Sequence, residues 1–316
     1  MKPEILVLGT LWTPETRAQL CELFDCHFLA QLQEGERADL LASAGPRIRG
    51  VLTTGVIGID GTTLVALPAL EIVAVHGVGV DAVPRELVAA RGVRVTNTPD
   101  VLTEDVADLA VGLLLACVRR LPMLDRYVRS GQWEARVPLA HARSLRGKVA
   151  GIVGFGRIGQ AVAQRLTPFG LEIRYFQRSE GPEPQRRSSS LLALARESDM
   201  LIVCTPGGAA TQRLIDAEVL DTLGPEGTLV NIARGSVVDE AALVAALASG
   251  RLGAAALDVF ENEPQVPQAL FEHDNVVLTP HVGSNTVESR RAMAGLAVAN
   301  LVAHFRGEPL PTPVVF

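Results

Sequence analysis

One ten-residue stretch, GIVGFGRIGQ at 151–160, restricts the fold of this chain more than any other. Gly154, Gly156 and Gly159 form a G-x-G-x-x-G spacing between an apolar run, KVAGIVG (148–154), and a helical pattern reaching Gly170. In such a crossover the first glycine permits a tight turn and the second lets a pyrophosphate approach the backbone. The third lets the helix sit close to the strand, with the helix N-terminus facing the phosphates. A methyltransferase can also carry a glycine-rich turn after its first strand, so the turn by itself leaves both readings open.

Around it, strand-like and helix-like segments alternate, which is the pattern of parallel α/β architecture. EILVLG (4–9), within MKPEILVLGT, IRGVLTTG (48–55) and LEIVAVHG (70–77) read as early strands, with ETRAQLCELF and RADLLASAG as helices between them. A long helix is expected from about Leu102 to Arg119, its start carrying Thr103, Glu104 and Asp105. After the glycine turn come EIRYF, MLIVCTP (200–206), TLVNIAR (228–234), AAALDVF (254–260) and NVVLTPH (275–281), near-continuous apolar runs suited to strands buried on both faces. QRSEGPEPQRRSSS (177–190) reads as a surface loop, and SRRAMAGLAVANLVAHFRG as a helix returning to the first domain. So many strands exceed one small sheet. The chain is expected to divide into 1–98 plus 285–316 and about 99–284, two doubly wound parallel-sheet domains crossed twice by the backbone, with a ligand cleft between them.

Composition narrows the class. With 48% apolar and 20% charged residues over 316 positions and a net charge of −6, nothing suggests nucleic acid or an anionic membrane as partner, and no apolar run spans a bilayer. The N-terminus lacks an export pattern, so cytoplasm is expected. Cys21, Cys26, Cys117 and Cys204 have no metal-like spacing and read as reduced structural thiols; no metal is expected.

The residue that reads the ribose is expected about 20 residues past the turn, at the end of the next strand. Eighteen positions after Gly159 stands Gln177, followed by Arg178 and Ser179, where an NAD-binding chain would carry an acid. Glutamine does not repel a 2′-phosphate, and Arg178 offers a planar fork and Ser179 a hydroxyl to phosphate oxygens. NADP(H) is therefore the preferred cofactor, with NAD(H) possible and Arg178 and Ser179 then a mere loop start.

Three polar islands follow apolar strands: NIARGSVVDE (231–240), DVFENEP (258–264) and LTPHVGS (278–284). In a doubly wound sheet, strand C-termini line the ligand crevice. Arg234 can clamp a carboxylate, His281 can exchange a proton near neutral pH, and Glu263 can orient the imidazole. Each also has an ordinary structural reading as a strand end, a loop acid or a packed histidine.

In order and wording, VGFGRIG, CTPGGAATQRLID (204–216), NIARGSVVDEAALVAAL (231–247), ALDVFENEP (256–264) and LTPHVGS resemble the D-isomer-specific 2-hydroxyacid dehydrogenase family over essentially the full length. Y-F-x-R-S at 175–179 points to its glyoxylate/hydroxypyruvate and hydroxyphenylpyruvate reductase branch. The resemblance implies a Rossmann cofactor domain, a flavodoxin-like substrate domain and reduction of small 2-keto acids to D-2-hydroxy acids. It assigns substrate carboxylate and carbonyl to Arg234, the proton to His281 and its partnership to Glu263. Toward the cofactor it implies Thr103, the Arg157–Ile158 backbone, Thr205, Pro206, Thr211, Ile232, Ala233, Gly283, and Asp258 at the nicotinamide carboxamide. Toward the substrate it implies the loop His76–Gly77–Val78–Gly79, with Thr53, Thr54 and Gly55 as the opposite wall. His76 reads equally well as a packing residue, and Asp81 as a brace of the loop. A homodimer is implied, with the segment around Trp133 reaching the partner. The chain carries nothing after Phe316 to match the regulatory module of long phosphoglycerate dehydrogenases. An NAD-linked enzyme working oxidatively and a non-enzymatic dinucleotide sensor are the alternatives.

Overall fold

The computed structural model describes residues 2–9 and 13–315, so Met1, Thr10 and Phe316, at the margins of the expected first strand and first domain, lie outside the described residues. Along the chain run β1 (Glu4–Val7), α1 (Pro14–Leu23), β2 (Asp25–Phe28), α2 (Glu34–Ala44), β3 (Ile48–Thr54), α3 (Gly61–Val65), β4 (Ile72–His76), α4 (Arg85–Ala90) and β5 (Arg94–Thr96). Then follow α5 (Thr103–Val118), α6 (Leu121–Arg129), β6 (Val149–Val153), α7 (Arg157–Leu166), β7 (Glu172–Phe176), α8 (Leu191–Glu197) and β8 (Met200–Val203). Last come α9 (Ala217–Leu223), β9 (Thr228–Asn231), α10 (Glu240–Ala248), β10 (Ala254–Leu257), β11 (Val276–Leu278) and α11 (Val287–Arg306). Two compact units result, Met1–Leu102 with Asn285–Phe316, and Thr103–Ser284.

The first unit holds a five-stranded parallel sheet in the order β2-β1-β3-β4-β5, the flavodoxin-like arrangement. Alternation along its strands decides the two cores. Leu6, Val51, Val73 and Val75 face Ile59, Leu64 and Val88 on one side. Ile5, Val7, Leu52, Ile72 and Ala74 meet Leu20 of α1 and Ala297, Val298 and Leu301 of α11 on the other. Helix starts are set by short side chains, as at Thr13, which accepts from Thr16 N–H ahead of Pro14, and at Thr286, which accepts from Ser289 N–H.

The second unit holds a six-stranded parallel sheet, β7-β6-β8-β9-β10-β11. This is the Rossmann order with its outer third strand reduced to one bridge, Tyr175 to Arg187. The loop reading of 177–190 therefore needs correction: its end returns to the sheet, and Ser188 is buried. Sheet order reverses between β6 and β8, so the glycine turn after β6 lies at the switch point where α/β proteins bind ligands.

Two strands, β2 and β5, form where the hydropathy pattern shows no strand. DCHF and RVT are short and half polar, and they belong to sheet edges. The apolar runs also end as strands earlier than their hydropathy suggests: β8, β9 and β10 stop at Val203, Asn231 and Leu257, leaving the residues of interest in the loops beyond. β11 is an edge strand and only half-buried, not buried on both faces. No helix of the described residues is long and apolar enough to cross a membrane.

Candidate active site

The three polar islands meet through backbone packing. Beyond β9, the Asn231 carboxamide holds the turn, Nδ2 donating to Arg234 O at 3.0 Å and Oδ1 accepting from Ala233 N–H at 3.1 Å. A side chain at Gly235 would overlap the Phe260 carbonyl, so only glycine lets this turn close on the one after β10. That approach brings the half-buried Arg234 near Glu263, whose carboxyl it helps to keep charged. Glu263 Oε1 accepts from Phe260 N–H at 3.1 Å, and Oε2 lies 2.8 Å from His281 Nδ1.

A carboxylate only accepts, so Nδ1 carries the hydrogen and donates, leaving Nε2 to exchange a proton. Burial opposes charge on Glu263. The His281 hydrogen bond and charge, the Phe260 N–H and Arg234 outweigh it, and the carboxyl sits below its ordinary value. A cavity of about 250 Å³, lined by Phe260, Phe271 and Leu278, flanks the pair.

His281 occupies the left-handed region at φ 52°, unusual for a non-glycine residue. Asp258 holds it there. This carboxylate accepts from Thr279 Oγ1 at 2.7 Å and from the N–H groups of Val282 at 2.8 Å and Gly283 at 2.9 Å, while its carbonyl accepts from His281 N–H at 2.8 Å. Only 1% exposed, Asp258 fixes the histidine loop through these contacts, with Oδ1 taking two donors and Oδ2 the Gly283 N–H. Gly283, also buried, is its donor and packs against Val106.

At the glycine turn each glycine has a separate reason. Gly154 has φ 92° and lies against the Thr205 backbone; a Cβ at Gly159 would overlap Gly154 O. Nothing of the protein lies within 4 Å of a Cβ built at Gly156, so the chain's own packing does not require glycine there. Ser190, Asp216 and Asp239 cap α8, α9 and α10, whereas the N-cap of α7 is Gly156, which has no side chain to cap with. An open glycine before an uncapped helix N-terminus fits a pyrophosphate, and the dinucleotide passes this test. Arg157 and Ile158 are the first residues of that helix. Thr205 and the exposed Pro206 border it, and Thr211 shapes that border by donating to Pro206 O at 2.7 Å. Ile232 and Ala233 are buried just past β9, and Thr103 is half-buried at the start of α5.

Gln177 replaces the missing acid in a structural sense. Its Oε1 accepts from Phe155 N–H at 3.1 Å, inside the glycine turn, and its Nε2 donates to Glu180 O at 3.0 Å. Arg178 and Ser179 are exposed.

In the first unit, Gly77 (φ 147°) packs beside Gly55, and the turns after β3 and β4 are neighbours. Gly77 N–H donates to Thr98 Oγ1 at 2.9 Å, and Asn97 Nδ2 donates to Val78 O at 2.8 Å. Val78 is exposed and Gly79 half-buried. Of the expected wall residues, Thr53 is fully buried with its hydroxyl donating to Gly58 O, and Thr54 is buried and accepts from Ile57 N–H, so both side chains brace the turn from beneath.

Of the two readings of His76, its burial favours packing. It is 5% exposed, and burial, reinforced by the Arg290 charge, pushes it down to about 4, so it is neutral at pH 7. Its folded value lies below its unfolded one, so its contribution is complete above pH 6.5 and is lost as pH falls toward 4. The span corresponds to a loss on the order of 3 kcal/mol. Urea unfolding at pH 7 and pH 4.5 should show that loss, and His76→Asn should lack it; equal slopes in both proteins would remove the assignment.

Residues 111–283 match the model of the D-isomer specific 2-hydroxyacid dehydrogenase, NAD binding domain. A hydroxyphenylpyruvate reductase of Plectranthus scutellarioides is 51% identical over 278 residues, covering 88% of each chain. The chain belongs to the D-isomer specific 2-hydroxyacid dehydrogenase family. A glyoxylate/hydroxypyruvate reductase A of Arabidopsis thaliana is 49% identical across 89% of this chain and 90% of its own. The crystal structure of an NADPH-dependent glyoxylate/hydroxypyruvate reductase from Sinorhizobium meliloti, in complex with NADP and malonate, superposes with a TM-score of 0.90. It shares 43% identity and covers 100% of this chain and 97% of that one. The family's two α/β units and its enzymatic class are those of this chain.

Proposed function

We propose that the protein reduces small 2-keto acids of the glyoxylate and hydroxypyruvate type to D-2-hydroxy acids, with NADPH preferred over NADH. The observation that carries this reading is the Glu263–His281 contact at 2.8 Å, with Arg234 beside it, on the strand ends of the sheet that bears the glycine turn. The bound nicotinamide supplies a hydride to C2. Arg234 binds the substrate carboxylate and polarises the neighbouring carbonyl, using the bidentate geometry of guanidinium. His281 delivers a proton from Nε2 to the carbonyl oxygen, and Glu263 holds the ring and stabilises its charged form. From the first unit, the amides of Val78 and Gly79 are assigned to the substrate carboxylate, with Gly55 beside them. Gly154, Gly156, Gly159 and the start of α7 hold the pyrophosphate, and Arg178 with Ser179 meets the 2′-phosphate.

The names of the relatives support the substrate class. A second copy of the chain is the proposed partner: Leu121, Val128, Trp133, Val137 and Leu139 are all exposed within one short segment. Four unpaired cysteines suit a reducing compartment such as cytoplasm.

Initial rates with hydroxypyruvate at equal NADPH and NADH should favour NADPH, and Arg178→Ala should level them. A preference for NADH would favour the NAD-linked oxidative enzyme, and dinucleotide binding without turnover across a 2-keto-acid panel would favour a sensor.

A further inference from the structure

The segment after β7 is organised by a residue that the glycine-turn reading does not use. Arg187 occupies the single bridge that remains of the third Rossmann strand, opposite Tyr175, and Ser188 N–H donates to Tyr175 O at 2.9 Å. From there its Nη2 reaches back ten residues along the chain. It donates to Gln177 O at 3.0 Å and Arg178 O at 3.3 Å.

The same Gln177 is tied to the glycine turn through Phe155 N–H, and Phe155 stacks on Tyr175 with ring centroids 4.2 Å apart. Gly181 closes the loop over that ring: any side chain there would overlap the Tyr175 hydroxyl. Glycine turn, strand end and returning segment thus form one connected structure, and Arg187 ties its outer edge. The carbonyls of 177 and 178 are negative dipoles next to Arg178 and Ser179, and Arg187 donates to both. The guanidinium engages both and adds a positive charge beside Arg178.

We infer that Arg187 is a positioning residue for NADP(H). It holds the Gln177–Arg178 backbone so that the Arg178 side chain and Ser179 meet the 2′-phosphate, and it adds a positive charge next to them. This inference rests on the NADP reading of Arg178 and Ser179. It assigns cofactor discrimination to two arginines, one touching the phosphate and one acting through the backbone.

Equilibrium binding separates these roles without relying on turnover. Calorimetry with 2′,5′-ADP and with 5′-AMP, and with NADP⁺ and NAD⁺, would be run on the full-length protein and on Arg187→Ala, Arg187→Lys and Arg178→Ala. Arg187→Ala should weaken 2′,5′-ADP and NADP⁺ binding about tenfold while leaving 5′-AMP and NAD⁺ within about twofold. Arg187→Lys keeps the charge and loses the planar fork, so it should recover only a minor part. Full recovery by lysine would overturn the positioning role in favour of charge alone. Parallel losses for both ligand pairs would make Arg187 a general fold residue and overturn the inference as well. If Arg178→Ala weakens NADP⁺ and Arg187→Ala does not, only the present inference fails; if neither does, the NADP reading itself falls.

Discussion

Replacing His281 by alanine should lower kcat for hydroxypyruvate reduction by about 10²- to 10⁴-fold, the range of a lost general acid, with NADP⁺ binding unchanged. The size follows from the site's geometry. Nδ1 is committed to Glu263 at 2.8 Å, so the ring has one defined orientation and one nitrogen, Nε2, available to the substrate oxygen. Asp258 fixes the left-handed backbone that aims it, through the N–H groups of Val282 and Gly283. Glu263→Gln should fall less than His281→Ala, since the amide still accepts from Nδ1 but brings no charge. Glu263 titrates below its ordinary value, so its stabilising contribution is present above the unfolded pKa and is lost only as pH falls through the lowered folded one. Stopped-flow single-turnover rates separate the chemical step from product release. A variant lacking His281 with wild-type single-turnover rate would exclude it as proton donor.

Arg234→Ala should reduce kcat/KM by about 10³-fold toward every 2-keto acid, the scale of removing one partner of a desolvated charged pair. Its uniformity is the informative part. Glyoxylate, hydroxypyruvate and arylpyruvates share C1 and C2, and a residue that clamps this unit discriminates little among the groups beyond it. Arg234→Lys should regain part of the loss, because an ammonium carries the charge without the bidentate fork. The turn bearing Arg234 is held by Asn231 and closed by Gly235, so unfolding is not expected to accompany the change. Thermal denaturation with and without NADP⁺ checks this. A loss confined to one substrate would move Arg234 from the shared carboxylate to a side-chain contact.

The sequence carried the fold class because buried parallel strands must be apolar throughout and glycine turns must be glycine. It pointed to Arg234, Glu263 and His281 as candidates because polar residues directly after apolar strands mark the ligand edge of such a sheet, and the fold brings these three together. It could not separate residues that face a ligand from residues that build the surface beneath one. Thr53, Thr54, His76 and Asp258 are all buried, and hydrogen bonds commit Thr53, Thr54 and Asp258 to the turns that carry them. Which atom of a loop residue points outward depends on contacts with segments far away in sequence, and local pattern contains no record of these.

Edge strands escaped for a related reason. A strand paired on one side needs little hydropathy, so DCHF, RVT and the Arg187 bridge resemble loops until the neighbouring strand is in place. By itself, then, the sequence determined the parallel α/β architecture and the dinucleotide turn, because both are set by local sterics and burial. The tertiary structure alone decided that Gln177 closes the glycine turn, that Asp258 aims His281 and that Arg187 grips the strand end, since each is a hydrogen bond spanning ten or more residues.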